Sequence, residues 1–339
     1  MANTRVEVTL SGIHSRSENT VRVSRDFERG RAGAQELSRA FRDDADALFA
    51  LQKSYGFSKV SDGQLRWQDP LRPISEVTGG LVISADLSRW FDTNTFYKKP
   101  TVVGELEVTG WDRVGSSLID YRPDQTSGLK NRIAFLPGPY TLASLVDDKF
   151  YNSKNELVTA FCKVLEEIVS SLLRSGVSCV QFNEPSLVYG EGKASQIGSK
   201  ELSNYRRGFQ NMLSDLPVEL RLHTYFGNSA PIVSQLAGIE CITTLGIDFT
   251  QTPISELEGS SFNGKMVGCG CVNSRNSLVE DPKWVAEFAA NSVALKGASG
   301  VTILPSSDLR YLPRDYADRK LKVLADSASL LRRRLEAVQ

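Results

Sequence analysis

The sequence contains few residues of the types that usually mark a metal site, a disulfide scaffold or a membrane segment. Only two of its 339 residues are histidine, five are cysteine and three are methionine. The cysteines are odd in number and scattered over apolar segments, so they predict free, buried thiols and no disulfide framework. No apolar run approaches the roughly 20 residues that cross a bilayer, and the N-terminus has no signal-peptide pattern. These absences predict a cytoplasmic protein.

The chain also has no net charge. Its forty basic and forty acidic residues cancel, so no global attraction to nucleic acid or to a membrane surface is expected. The apolar fraction of 41% and the charged fraction of 24% are ordinary for a soluble globular protein with a sizeable core. The length fits one barrel domain with a large insertion or two smaller domains, and we favour a single domain over 1–339.

Apolar runs typical of strands alternate with amphipathic helical segments from Asn131 onward. This alternation predicts an α/β fold with a parallel sheet of close to eight strands, a (β/α)8 TIM barrel. Residues 1–31 predict a first strand followed by an irregular N-terminal arm, and 35–55 predict an amphipathic helix. The irregular stretch 69–130 predicts an inserted region that carries a short hairpin.

Polar residues follow many of the apolar runs. In a (β/α)8 barrel the carboxyl ends of the strands meet on one face, so we expect these side chains to gather at the barrel mouth. They are Asp62, Asn94, Asn183, Glu184, His223, Asp248, Arg275 and Asp308.

Three of these residues are candidates for chemistry. Glu184 could orient an amine, act as a base or ligate a metal, or it could simply bind backbone at the rim. His223 precedes aromatic side chains and a glycine turn, a setting that suits a flat ligand as well as packing. Together with Asp248, they could serve as acid, base and orienting groups of an independent barrel enzyme.

Three other patterns are less specific. Cys269 and Cys271 form a C-x-C pair in a strand, and core positions are favoured over a zinc site because no further Cys or His stands at ligand spacing. The turn at 136–144 leads into a helix whose free N–H groups could receive an anion. Arginines crowd the N-terminal arm, where they form either a solvated face or a docking site for an acidic ligand tail. These are Arg16, Arg22, Arg25, Arg29 and Arg31.

Five ordered segments resemble the N-terminal barrel of the cobalamin-independent methionine synthase family, whose enzymes are two face-to-face (β/α)8 barrels. Their family counterparts are KWFDTNYHY, VQIDEPALV, TYF(G/D), GVVDGRN and APSCSLLHVP. The matching segments here are RWFDTNTFY (89–97), VQFNEPSLV (180–188), TYFG (224–227), GCGCVNSRNSL (268–278) and LPSSDLRYLP (304–313).

In this family the catalytic barrel holds zinc through one His, two Cys and one Glu, and the zinc presents homocysteine as a thiolate. By the resemblance, His223 occupies the histidine position. Tyr225 and Ser307 stand where the cysteines belong, and the segment that ends at Asp248 offers no matching glutamate. The resemblance therefore implies no metal site in this chain and zinc only on a partner.

The resemblance also implies a role in folate binding, because the family's N-terminal barrel helps to bind the polyglutamate tail of methyltetrahydrofolate and braces the catalytic barrel. Asn94 maps to a folate-contacting asparagine, and Arg89 stands where the family has lysine. With Asp92 between them, and with Arg22 or Arg25 in place of the family's RELK contact, these are the expected folate contacts.

The expected protein is thus a component of methionine biosynthesis. It would act as a folate-binding or bracing barrel beside a separately encoded, zinc-bearing catalytic barrel. A ligand-binding scaffold with no role in methyl transfer, or the independent enzyme described above, is the alternative.

Overall fold

A curled parallel sheet forms the centre of the computed structural model, which describes residues 4–110, 118–119, 131–190 and 197–337. The strands of this sheet that follow Asn131 are buried along almost their whole length, as expected for a sheet covered on both faces. In spatial order, the seven strands are β1 (Arg5–Val8), β10 (Gly300–Pro305), β9 (Met266–Val272), β8 (Ile242–Asp248), β7 (Glu219–Thr224), β6 (Cys179–Asn183) and β4 (Ile133–Pro137).

A short extended segment links the two edges of this sheet. Ser58 N–H donates to the carbonyl of Val8 in β1 (3.0 Å). Val60 N–H donates to Asn131, and Val60 accepts from Ile133 N–H at the edge of β4 (both 2.9 Å). The prediction of a parallel α/β sheet is confirmed, with seven strands and one bridging segment in place of eight full strands.

Buried charges fill the inside of the sheet near the bridging segment. The Arg221 side chain is fully buried and pairs with Glu7 and Glu219, both at 2.5 Å. Lys59 Nζ lies 2.7 Å from the other oxygen of Glu219. Since these residues come from β7, β1 and the bridging segment, the ion pairs tie the β1 edge and the bridging segment to β7.

Helices flank the sheet, and the amphipathic helix predicted over 35–55 is confirmed. It ends before Gly56, whose positive φ of 67° suits a helix stop. Among the described residues no helix is both long and apolar enough to cross a membrane. The helices are α1 (Glu18–Glu28), α2 (Ala34–Ser54), α3 (Arg72–Glu76), α4 (Pro139–Leu145), α5 (Lys154–Arg174), α6 (Ser199–Leu213), α7 (Val233–Ala237), α8 (Pro282–Val293) and α9 (Arg314–Glu336).

The N-terminal arm is not irregular throughout, and that part of the prediction is wrong. Helix α1 begins after Ser17, whose side chain accepts from Thr20 N–H (3.2 Å). Only Thr20 and Val23 of this helix are buried, and Thr20 Oγ1 donates to the Ala40 carbonyl in α2 (3.1 Å). A buried face of two residues is too small to produce a clear apolar periodicity in a highly charged segment.

The inserted region contains the predicted hairpin, but its strands are long. They are β2 (Thr78–Arg89) and β3 (Phe96–Val108), with 12 and 13 residues. They pair antiparallel, and β5 (Asp147–Asp148) joins β3 in parallel. The rest of the predicted insertion, 111–117 and 120–130, lies outside the described residues.

Candidate functional site

Side chains from several strand ends meet around the loop that follows β1. His223 Nδ1 lies 2.6 Å from Ser11 Oγ, and Asn183 Nδ2 donates to the Ser11 carbonyl (2.9 Å). Asp308 Oδ1 accepts from Ile13 N–H (2.9 Å). The structure thus brings Asn183, His223 and Asp308 together at the carboxyl end of the sheet, where the sequence placed them.

Glu184 binds the start of a helix. Its two carboxylate oxygens accept from Tyr140 N–H (2.9 Å) and Thr141 N–H (2.7 Å) at the beginning of α4. Burial raises the pKa of Glu184 to about 7, against the opposing effect of these hydrogen bonds. A Cβ on Gly138 would lie 2.2 Å from Glu184 Cδ, so glycine is what permits this approach. The turn at 136–144 therefore does receive an anion, and that anion belongs to the chain itself.

Asp248 likewise binds backbone. Its Oδ2 accepts from Phe226 N–H (3.1 Å), and its Oδ1 accepts from the N–H (2.9 Å) and the hydroxyl (2.6 Å) of Thr250. Phe226 has a φ of 69°, which is uncommon for a residue other than glycine. Burial raises the pKa of Asp248 to about 6. Asp248 thus helps to hold Phe226 in the left-handed backbone conformation. The catalytic roles predicted for Asp248 and Glu184 remain predictions.

The residues at the family's zinc positions do not fit a zinc ion. Burial lowers the pKa of His223 to about 3, and its Nε2 has no hydrogen-bond partner among the described residues. The ring of Tyr225 packs 5.3 Å from that of His223, and Ser307 Oγ lies 2.5 Å from Ser274 Oγ. Neutral hydroxyls are not among the usual zinc ligands. Within the described ranges, no group of three or more His, Cys, Asp or Glu side chains is placed to hold a metal ion.

The tip of the β2–β3 hairpin lies over the barrel mouth. Asp92 Oδ2 accepts from Arg275 Nη2 (2.9 Å), in the loop after β9. The Arg275 guanidinium lies over the Phe226 ring at 5.2 Å. Phe91 packs against Tyr189 and Phe226, with centroid distances of 4.8 and 5.7 Å. An ion pair and an aromatic cluster thus fix the hairpin tip to the strand ends.

Asn94 and Arg89 are exposed at this tip. Asn94 lies in the turn between β2 and β3, so its expected place at the end of a barrel strand is wrong, because the apolar run before it belongs to the hairpin. The Arg89 guanidinium lies 6.0 Å from the centre of the Phe96 ring. The folate contacts predicted for Asn94, Arg89 and Asp92 remain predictions.

The space under the hairpin is nearly filled. A cavity of about 20 Å³ remains there, with walls that include Trp67, Trp90, Asn183, Tyr225 and Asp308. Such a volume holds about one water molecule, whereas pockets for small ligands measure roughly 300–1,000 Å³. Among the described residues, this cavity under the hairpin has no room for a pteridine ring.

A much larger cleft lies beside the mouth. Its volume is about 860 Å³, and it lies between the segment 13–25, residues 67–68 and the segment 310–318 that leads into α9. These segments follow the carboxyl ends of β1, the bridging segment and β10, the side on which barrels usually place their sites. Five arginines line this cleft: Arg16, Arg22, Arg25, Arg310 and Arg314.

The cleft has an excess of positive charge. Three carboxylates, those of Glu18, Asp315 and Asp318, face the five arginines, which leaves a net charge of two positive with histidine neutral. Asp318 is already engaged, since it accepts from Arg314 Nε (2.9 Å) and lies 2.8 Å from His14 Nε2. The surplus charge suits a ligand with several carboxylates.

Only some of the residues that line this cleft were predicted from the sequence. Arg22 and Arg25, predicted to contact a ligand tail, do line it. His14, to which the sequence gave no role, is buried in its wall, and this burial lowers the pKa of His14. Arg310 and Arg314 were missed. Arg310 could have been found from the sequence, because it lies two residues after Asp308, which follows a predicted strand.

The fold and the cleft define an α/β protein with a curled parallel sheet and a candidate anion site at the carboxyl ends of its strands. Residues 79–294 match the family model described as cobalamin-independent synthase, N-terminal domain. The chain therefore belongs to the family that its five segments resemble.

Curated relatives match over nearly their whole length. The methionine synthase of Saccharolobus solfataricus is 23% identical over 331 residues, which cover 97% of this chain and 95% of that protein. The methionine synthase of Sulfurisphaera tokodaii is 22% identical and is covered to 93%.

Solved structures share the fold. A B12-independent methionine synthase from Shewanella sp. W3-18-1, in complex with selenomethionine, gives a TM-score of 0.74 at 20% identity, over 91% of this chain and 92% of that one. A methyltransferase from Methanosarcina mazei gives 0.61 at 12% identity, over 94% and 93%.

Proposed function

We propose that this chain serves methionine biosynthesis as a folate-binding or bracing barrel that acts with a separate, zinc-bearing catalytic barrel. In this view the curled sheet is a (β/α)8 barrel completed by the bridging segment. The observation that carries the proposal is the arginine-lined cleft, beside a cavity with no room for a ligand. Two further observations support a separate zinc-bearing barrel. The chain belongs to the family, and it has the hydroxyls of Tyr225 and Ser307 at the positions of the family's zinc-binding thiols.

The cleft is the proposed site of the polyglutamate tail of methyltetrahydrofolate. Each added glutamate contributes a carboxylate, and the cleft supplies the surplus of positive charge that such a tail needs. Arg22 and Arg25 line its α1 side, whereas Arg89, Asp92 and Asn94 are carried by the hairpin tip above the neighbouring mouth. With the tail in the cleft, the pteridine extends out of this barrel toward the partner.

Calorimetric titration tests this assignment. Methyltetrahydrofolate with three glutamates should bind at least about 10-fold more tightly than the form with one, and the difference should shrink as salt rises. The double variant R22Q/R25Q should weaken the triglutamate form, with R29Q as the control, because Arg29 belongs to the same arm but does not line the cleft. Absence of heat with every folate would refute the folate role and leave the scaffold alternative.

Co-purification tests the partner. A zinc-bearing catalytic barrel should associate with this chain, and methionine formation should be faster when both are present. Full activity of the catalytic barrel alone, with no association at any concentration tested, would remove the bracing role.

A second candidate is a single-barrel methyltransferase that works alone. It is favoured by the curated relatives, which are named methionine synthase and which the chain covers almost completely. Elemental analysis of the purified chain, together with an assay for methionine, tests it directly. Stoichiometric zinc with turnover would replace the first proposal, whereas turnover without zinc that depends on Glu184, His223 and Asp248 would favour the independent enzyme.

A further inference from the structure

Three of the five cleft arginines, Arg16, Arg25 and Arg310, form no close ion pair among the described residues, and Arg16 and Arg310 are the two that are partly buried. Among the described residues, neither Arg16 nor Arg310 lies within 4.0 Å of a carboxylate oxygen. The other two arginines differ, because Arg314 is paired with Asp318 and Arg22 lies 3.5 Å from Asp26. Arg16 and Arg310 are therefore not neutralised by a close ion pair, although Asp44 and Glu28 act on Arg16, and Asp308 interacts with Arg310, at longer range.

Backbone carbonyls of one short segment hold both guanidinium groups. Arg16 donates from Nε to the carbonyl of Leu65 (2.7 Å) and from Nη2 to that of Trp67 (2.8 Å). Arg310 donates from Nη2 to the carbonyl of Gln68 (3.3 Å). Carbonyl oxygens orient a guanidinium group but do not neutralise its charge, so both groups are positioned and still attract an anion.

The turn that carries Arg310 is rigidly supported. Arg310 N–H donates to the Ile13 carbonyl (3.0 Å), and Ile13 N–H donates to Asp308 Oδ1 (2.9 Å). The hydroxyl of Tyr311 donates to the other oxygen of Asp308 (3.2 Å). Little ordering is therefore left to occur when a ligand binds, which favours affinity.

The two like charges also act on each other. Burial and the charge of Arg310 lower the pKa of Arg16 to about 10, so Arg16 remains protonated at neutral pH. Arg310 Nη1 is buried and has no hydrogen-bond partner among the described residues. An anion bound between the two groups would offset their repulsion and satisfy the free donor.

We propose that Arg16 and Arg310 form a clamp for the terminal glutamate of the ligand tail, which carries two carboxylates. This rests on the proposed function, but the family resemblance does not supply it, since the family segment APSCSLLHVP has leucine where Arg310 stands. Arg22 and Arg25, at the α1 side of the cleft, would contact carboxylates nearer to the pteridine.

The clamp is tested by calorimetry with free tri-γ-glutamate and with the pteroyltriglutamate form of methyltetrahydrofolate. R310Q should weaken both by about 10- to 100-fold, the loss expected for hydrogen bonds to a charged group. R310K keeps the charge but loses the planar fork, so its affinity should lie between those of R310Q and the wild type. R29Q removes the same charge outside the cleft and should change affinity by less than about 2-fold at physiological salt.

The outcomes separate the clamp from the folate role. Equal binding by R310Q and wild type, or a loss no larger than that of R29Q, overturns the clamp even if folates bind. Binding of tri-γ-glutamate that depends on Arg310, together with no binding of the pteroyltriglutamate form, supports the clamp and refutes the folate role. Binding of inorganic phosphate as tight as that of tri-γ-glutamate overturns the assignment to a glutamate. Should R310Q fail to fold, R310K and R16K provide the same comparison.

Discussion

The glutamate that binds the start of α4 should make stability fall as pH rises. Burial raises the pKa of Glu184 from its usual 4.5 to about 7. A carboxyl group with a raised folded-state pKa binds more protons in the folded than in the unfolded chain between these two values. Its stabilising contribution is therefore complete below about pH 4.5 and is lost as pH rises through 7. From these two pKa values, the free energy of unfolding should fall by about 2.5 kcal/mol between about pH 5 and about pH 8.

The variant E184Q should remove this dependence. Glutamine cannot ionise, but it offers one acceptor oxygen where Tyr140 N–H and Thr141 N–H both need one. At about pH 5, where Glu184 is mostly protonated, E184Q should be less stable than the wild type by about 1–3 kcal/mol, the cost of an unsatisfied buried donor. At about pH 8 the wild type has lost the stabilising contribution of protonated Glu184, so the two proteins should have similar stability.

Urea unfolding followed by circular dichroism, at several values between about pH 5 and about pH 8, measures the difference. E287Q is the matched control, because Glu287 is exposed on α8, and it should follow the wild type throughout. Parallel curves for E184Q and the wild type over the whole range would refute the reasoning, since they would mean that Glu184 ionises equally in the folded and the unfolded chain.

Two further substitutions test the packing around the sheet. G138A places a Cβ 2.2 Å from Glu184 Cδ and should lower the free energy of unfolding by about 1–3 kcal/mol, whereas G33A, with nothing within 4 Å, should change it by less than about 0.5 kcal/mol. R221M leaves the buried carboxylate of Glu7 without its Arg221 partner and should cost about 3–5 kcal/mol in the same urea assay. An unfolding midpoint of R221M equal to that of the wild type would show that the ion pairs do not hold the sheet edges.

The sequence predicts the later strands well because each is a short apolar run with helical segments on either side. Burial on both faces removes the need for alternation, so runs such as 133–137 and 301–304 are recognisable on their own. The bridging segment was harder to recognise, since only one residue there, Val60, makes a sheet bridge. Helix α1 was missed for a related reason, because only two of its residues are buried.

The site was less predictable because its members depend on contacts between distant parts of the chain. The acidic residues at the strand ends were identified, but nothing local shows that Glu184 binds backbone 43 residues earlier. Arg310 illustrates the same limit. Its importance comes from the cleft that it lines and from the Gln68 carbonyl that orients it, and both are visible only in three dimensions.

The distribution of paired and unpaired charge separates the mouth from the cleft. At the mouth, the carboxyl groups of Glu184, Asp248 and Asp308 all accept hydrogen bonds from backbone N–H groups. In the cleft, by contrast, Arg16 and Arg310 form no close ion pair among the described residues and line a volume large enough for a ligand. The cationic groups best placed to bind an anion are therefore in the cleft. A ligand attracted by charge would therefore be held in the cleft, beside the mouth.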